Sequence, residues 1–357
     1  MQLQEKPKTK NQILSALYYA LFVIFGLLLI LKQPVADAYP PAMIYVLRSM
    51  FLTVGVITIY FIKRIGHMLF ANENDEWFFC MTIAFMPDFI HTFAYLNTSA
   101  ITLLAISMIL YSWVLLVQTR NDRKNFLILA VGVMLCTMAD PQGYGYLVTT
   151  IVLFAQLVQI KNTTWKKYFP LLLLFLASLL WNALRFFMLG FSPSAYLPAS
   201  VGALLKEEAA FVIANANAFH HLLWPNVIFF QILLIVGLIL FFIYMTHERS
   251  VFNISIQAAT KKRHLLETYF GLNVSIVLIY GIVTAFSSTI SLMSTYVMPM
   301  LIPLMYFISV GFGKFTIHMF RLFPRHRKII HALVPVLTYL GLALSIIAML
   351  MYLVIAG

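Results

Sequence analysis

The stretch QILSALYYALFVIFGLLLILK, residues 12–32, carries no charge until its final lysine. A run of about 20 apolar residues is long enough to cross the hydrocarbon core of a bilayer as an α-helix. A basic segment precedes the run, but no small-residue cleavage pattern follows it, so it does not fit a secretory signal peptide. We therefore expect a retained first transmembrane helix.

The composition of the whole chain points to the same class. Of the 357 residues, 62% are hydrophobic and 10% are charged, whereas soluble domains carry about 25% charged residues. This composition excludes a soluble domain. The sequence therefore predicts a polytopic membrane protein, with the lipid bilayer as its first partner.

Apolar runs of about 17 to 25 residues, the length that spans a bilayer, recur along the chain. The predicted spans are 12–32, 42–62, 76–96, 98–118, 125–139, 144–160, 168–189, 226–246, 268–289, 295–313 and 331–355. The fold class expected from them is all-α, with about eleven transmembrane helices in a single integral-membrane domain over residues 1–357.

Lysine and arginine are unevenly distributed between the connections. All but four of the 24 Lys and Arg residues lie before the first span or after alternate later ones. Because such an excess marks cytoplasmic connections, the N-terminus is predicted to be cytoplasmic and the C-terminus external. The excess also explains the net charge of +12 without a nucleic-acid partner. The cluster FRLFPRHRK (320–328) fits this topological role, with contact to anionic lipid headgroups as the alternative.

The ionisable residues on the predicted external side depart from this trend. They are the bases Lys32, Arg48, Arg185 and Lys206 and the acids Asp37, Asp88, Asp140, Glu207 and Glu208. An ionisable group in or at the mouth of a helical bundle is a candidate for function because its insertion is costly. The alternative for the long side chains is that they extend to the lipid headgroups.

Two of the acids lie in distinctive surroundings. In MPDFIHTFAYLNTSA, Pro87 should loosen the third helix, and His91 follows Asp88 by three residues on the same helical face. Asp140 lies in MADPQGYGYL, a turn between the two shortest spans that also contains Tyr144. Short flanking helices place this turn below the external surface, where irregular backbone lines a cavity or is buried in protein. A structural hydrogen bond for Asp88 and an Asp-Pro turn for Asp140 are the alternatives.

The longest predicted external segment is 190–225. Its residues 199–219 fit an amphipathic helix along the membrane surface, with Lys206, Glu207 and Glu208 on the polar side. His220 and His221 follow it, but adjacent histidines point in different directions on a helix and lack the spacing of a metal pair. No metal site is therefore predicted there.

The order of several motifs resembles the GT-C superfamily of integral-membrane glycosyltransferases and related bacterial membrane-protein families. DAYPPAMIYVLRS (37–49) is similar to the acidic external loop and Pro-rich entry to the second span in that family. MPDFIHTFAYLNTSA is similar to the tight turn after its third span. STYVMPMLIP, with Tyr296, is similar to a late span entry, although Thr295 stands in place of its arginine. By this resemblance residues 1–189 form a GT-C-like helical module, 190–225 an external loop and 226–357 the C-terminal helices.

The resemblance implies a membrane enzyme that uses a polyprenyl-phosphate-linked sugar as donor and a cell-surface glycan or lipid as acceptor. Asp37 would be the general base, with Asp88 or Asp140 as the alternative, and Arg48, Arg185 or Lys206 would hold the phosphate. A divalent cation, Mg²⁺ or Mn²⁺, would assist. The expected location is the cell membrane of a bacterium. A non-enzymatic membrane protein, either a lipid-linked glycan transporter or an inactive assembly partner, and a polysaccharide polymerase are the alternatives.

Overall fold

The structure is a computed structural model, and its described residues are helical apart from short connections. They are 8–32, 40–96, 98–118, 123–138, 143–161, 224–247, 263–276 and 298–355, with isolated positions at 173, 176, 177, 180, 181 and 279. The helices are α1 (Lys8–Lys32), α2 (Pro41–Leu69), α3 (Glu73–Ala84), α4 (Pro87–Ala94), α5 (Thr98–Gln118), α6 (Arg123–Met138), α7 (Tyr144–Lys161), α8 (Trp224–His247), α9 (263–276), α10 (Leu301–Leu322) and α11 (Arg327–Ile355). Short 3₁₀ turns at Met298–Met300 and Pro324–His326 precede the last two helices. The all-α prediction is confirmed for this part of the chain.

Within the described ranges, five helices are long and apolar enough to cross a membrane. They are Gln12–Lys32, Pro41–Leu69, Ser99–Val117, Met298–Leu322 and Pro324–Met351, and shorter apolar helices cover Lys124–Thr137, Tyr144–Gln156 and Ile228–Tyr244. These helices support a multi-pass membrane protein. The count of eleven spans and the orientation stay predictions, because most of the predicted span 168–189 and much of 268–289 lie outside the described residues.

The two sides of α1 show how such a helix meets lipid on one face and protein on the other. Ile13 and Leu31 leave 67% and 66% of their surface exposed, whereas Tyr18 and Phe22 are completely buried. Large exposed apolar side chains on one face are unfavourable in water but match the hydrocarbon of a bilayer. The buried face supplies aromatic residues to the core between α1, α2 and α4.

The third predicted span, 76–96, is not a single helix. Helix α3 ends at Ala84 and α4 begins at Pro87, so the expectation that Pro87 loosens this helix is confirmed and the expectation of one continuous span is wrong. The pyrrolidine ring removes a backbone donor and disfavours a helical conformation at Met86. The carbonyl oxygen of the buried Phe85 lies 2.9 Å from the Ser345 hydroxyl of α11, which can donate to it. The break is thus bridged by a side chain from the last helix.

Helices α8 and α10 approach at the level of their backbones. A Cβ atom at Gly311 would lie 2.5 Å from the Gly237 carbonyl oxygen and 2.8 Å from the Phe241 nitrogen. Small residues at a helix crossing permit such close approach, which favours association of helices within a membrane. The pair α8 and α10, with α11 packed beside them, forms the C-terminal half of the described core.

Candidate functional site

Among the described Lys, Arg, Asp and Glu residues, Arg48 is the one that the core encloses most completely. Helix α2 begins with Pro41 after an extended Pro40, and two successive prolines fix the entry of the chain into the helix. Arg48 follows seven residues later, about 10 Å along the helix axis. Its side chain is 0% exposed, and its guanidinium carbon lies 5.5 Å from the centroid of the Tyr95 ring. This distance is within the range of a cation–π interaction.

Two residues at the end of α4 complete the surroundings of Arg48. Tyr95 caps the C-terminus of α4 and is buried, and the His91 ring, one turn earlier, lies 4.1 Å from the Tyr95 ring centroid to centroid. His91 is partly exposed. Arg48, Tyr95 and His91 therefore form one stack, called here the Arg48 cluster, between the first turns of α2 and the end of α4.

The Arg48 cluster combines the fixed positive charge of Arg48 with the imidazole ring of His91, which is less buried than the arginine. An arginine presents several donors in a planar fork, a geometry that matches phosphate or carboxylate oxygens. A tyrosine ring beside it restricts the guanidinium plane. The cluster can thus orient an anionic group, provided that the group reaches the guanidinium edge.

The structure brings together two residues that the sequence singled out, Arg48 and His91, through a third that sequence reasoning missed. Tyr95 lies within the quoted motif MPDFIHTFAYLNTSA, but a single tyrosine among 18 carries no distinguishing signal.

The remaining predicted site residues divide into two groups. Asp88 lies in the first turn of α4, three residues before His91, and its side chain lies outside the described atoms; Tyr144 begins α7 and is partly buried. The others lie outside the described residues: Asp37, Asp140, Arg185, Lys206, Glu207, Glu208, His220, His221 and Tyr296. Their predicted roles are untested by the structure.

A second polar group, at the other end of α2, was read from the sequence only as a topological signal. The Lys63 ammonium lies 4.5 Å from the Trp77 ring centroid and donates to the Ser15 hydroxyl. One turn further, His67 Nδ1 lies 3.3 Å from Oε2 of the buried Glu76. These contacts join α1, α2 and α3 at the predicted cytoplasmic side, so they act in packing.

A third polar group joins α9 to α10. Oε1 of Glu267 accepts hydrogen bonds from Arg263 Nε at 2.8 Å and from the Tyr306 hydroxyl at 3.0 Å. Burial by itself would lower the pKa of Arg263, but Tyr306 and the ion pair with Glu267 outweigh it and raise that pKa. Both arginine and glutamate are thereby held in one orientation, which fixes the start of α9 against the middle of the core.

Within the described ranges, no three His, Cys, Asp or Glu side chains are arranged to hold a metal ion. The acids that the resemblance assigns to a divalent cation include Asp37 and Asp140, which lie outside those ranges. The role of Mg²⁺ or Mn²⁺ therefore stays a prediction.

Comparison with protein-family models, with curated proteins and with solved structures finds no match to this chain.

Proposed function

We propose that this chain is an integral-membrane glycosyltransferase that moves a sugar from a polyprenyl-phosphate donor to a glycan or lipid acceptor at the external membrane face. The observation that carries the proposal is the complete burial of Arg48 in the first two turns of α2. The proposal also draws on the order of the sequence motifs, in which Arg48 ends the Pro-rich entry to this helix.

The free energy of burying a charge supports a specific role for Arg48. A guanidinium removed from water costs several kcal/mol unless other groups compensate it, and charged residues within membrane spans commonly mark a substrate pathway. A phosphate that leaves the sugar carries negative charge that increases in the transition state. A cation already oriented by the Tyr95 ring can stabilise that charge without reorganising.

The proposed reaction balances with the residues of this chain and the two substrates. A carboxylate, assigned to Asp37 with Asp88 or Asp140 as the alternative, takes the proton of the acceptor hydroxyl. The acceptor oxygen forms a bond to the anomeric carbon of the sugar while the bond from that carbon to the phosphate oxygen breaks. The polyprenyl phosphate leaves with the electron pair and is stabilised by Arg48. General base catalysis of this type contributes about 10²–10⁴-fold to the rate.

A non-enzymatic membrane protein, such as a lipid-linked glycan transporter or an assembly partner, is the second candidate. The same complete burial favours it, because a guanidinium packed on Tyr95 can serve to fix α2 against α4 without meeting any substrate. The two candidates differ in the role of Arg48. In a transferase the Arg48 guanidinium contacts the substrate phosphate, whereas in the non-enzymatic protein it serves only to pack α2 against α4.

The test is complementation of a deletion strain with variants of the full chain, followed by mass spectrometry of the envelope glycans and lipids. We expect Arg48→Gln and Asp37→Asn to lose the sugar transferred by the wild type and Arg48→Lys to restore part of it, because charge survives but the fork is lost. Arg64→Gln is the matched control, since Arg64 lies on the same helix with its guanidinium carbon 5.3 Å from the Tyr60 ring centroid. Abundance in the membrane, measured by immunoblot, separates loss of activity from loss of folding.

Two outcomes contradict the proposal. An unchanged glycan and lipid profile in the deletion strain would exclude a transferase. Full activity of Arg48→Gln and Asp37→Asn at normal abundance would assign Arg48 to packing, and it would favour the non-enzymatic candidate if Asp88→Asn and Asp140→Asn were also fully active.

A further inference from the structure

A groove lies at the predicted cytoplasmic side, where α10 ends and α11 begins. It is open, has a volume of about 600 Å³ and is lined by Phe320, Arg327, Lys328 and His331. The rings of Phe320 and His331 stack with centroids 6.2 Å apart and planes 29° apart, and they form its apolar wall. The groove therefore offers cationic donors beside a flat aromatic surface.

No carboxylate of the described residues forms an ion pair with the arginine or the lysine of this groove. Arg327 and Lys328 are both exposed. The acid that approaches this region is Asp75 of α3, which interacts electrostatically with His331. Two further exposed cations, Arg321 and Arg325, lie on the same connection.

Large apolar side chains flank these cations on the connection between the two helices. Leu322, Phe323 and Ile329 expose 55%, 51% and 71% of their surface. Basic residues interleaved with exposed apolar residues at the end of a membrane helix fit the boundary between headgroups and acyl chains. A soluble anion would match the cations but would leave these apolar side chains in water.

We propose that this groove binds the phosphate of an anionic phospholipid of the cytoplasmic leaflet. Arg327 and Lys328 contact the phosphate oxygens, the stacked rings of Phe320 and His331 pack against the glycerol and first methylenes, and Leu322, Phe323 and Ile329 enter the acyl region. This site lies at the opposite end of the helices from the Arg48 cluster and does not depend on the proposed enzymatic activity.

The test uses the purified full chain in a nonionic detergent and counts retained lipid by native mass spectrometry. Phosphatidylglycerol and phosphatidylcholine with the same acyl chains are the two lipid probes, and inorganic phosphate is the competitor that represents a soluble ligand. We expect selective retention of phosphatidylglycerol and an affinity about 30-fold lower in the double variant R327Q/K328Q, since each cation near an anionic lipid contributes about fivefold. The double variant R123Q/K124Q, which removes the same charge from the start of α6, is the matched control and should bind as the wild type does.

Three results would overturn the proposal. Equal retention of both lipids would show that the phosphate charge is not recognised. Equal phosphatidylglycerol affinity of R327Q/K328Q and wild type would place the lipid elsewhere. Complete displacement of phosphatidylglycerol by millimolar inorganic phosphate would assign the groove to a soluble phosphate compound. All four substituted positions lie at helix starts, and an unchanged melting temperature of the variants would confirm that they fold.

Discussion

Replacing Gly311 by alanine tests the backbone contact between α8 and α10. The added methyl carbon would meet the Gly237 carbonyl oxygen at 2.5 Å, the Phe241 nitrogen at 2.8 Å and the Phe241 α-carbon at 3.2 Å. All three are backbone atoms, so no rotation of a side chain relieves the contact. The two helices must separate.

The expected magnitude follows from the size of that separation. Ordinary contact begins at 3.4 Å, so α8 has to retreat by about 0.9 Å from the carbonyl that now lies at 2.5 Å. A gap of about 0.5–1 Å forfeits a quarter to a half of the dispersion attraction of the atoms lining it. Overpacking of this kind costs about 1–3 kcal/mol, whereas alanine gains about 1 kcal/mol over glycine as a helix former.

The helix-propensity gain is removed by a matched variant, Gly271→Ala in α9. Among the described residues, the atom nearest to an added methyl carbon there is in the Phe307 ring, at 3.9 Å. The free energy of unfolding of both variants is measured in mixed micelles of nonionic detergent and SDS. We expect Gly311→Ala to be less stable than Gly271→Ala by about 2 kcal/mol. A Gly311→Ala protein as stable as Gly271→Ala would refute the close approach of α8 and α10.

Three other measurements test separate parts of the structure. Burial raises the pKa of Asp75 to about 6, above its unfolded value of about 3.9. Its favourable contribution to the free energy of unfolding is therefore complete below about pH 4 and is lost as the pH rises through about 6. Asp75→Asn should flatten this part of the pH–stability curve, and an unchanged curve would contradict the burial of Asp75. Tyr306→Phe removes the hydroxyl that donates to Glu267 at 3.0 Å. Because a hydrogen bond to a charged group contributes about 2 kcal/mol, we expect the free energy of unfolding to fall by about that amount. An unchanged free energy of unfolding would mean that this hydrogen bond is not formed in the membrane. Reporters fused after Lys328 and after Gly357 should read cytoplasmic and external respectively, and a shared side would disprove the predicted orientation.

The bounds of several helices were predictable because an uninterrupted apolar run has one stable form in lipid. The run 98–118 coincides with α5, which spans Thr98–Gln118, and the run 12–32 ends at the same lysine as α1. Where a charged residue interrupts an apolar run, the helix was predicted to end too early. Helix α2 was expected to stop at residue 62 but continues to Leu69, because Lys63 packs on Trp77 instead of marking a loop.

The candidate site was predictable only as far as charge singles out a residue. Arg48 stands out because it is a cation within an apolar helix, and the structure buries it completely. The partner ring of Tyr95 depends on how the end of α4 faces α2, which no local pattern records. The break before Pro87 followed from proline chemistry, whereas the bridging hydroxyl from residue 345 is a long-range contact that no local pattern could indicate.

The contact between Ser345 and the Phe85 carbonyl also constrains the order in which the protein can be assembled. The two residues are 260 positions apart, and the carbonyl belongs to a helix pair that emerges early in synthesis. Until the last helix has been translated and has entered the membrane, this carbonyl lacks that donor, and an unsatisfied backbone group in lipid costs several kcal/mol. The break between α3 and α4 therefore gains this hydrogen bond only after the ribosome has passed residue 345.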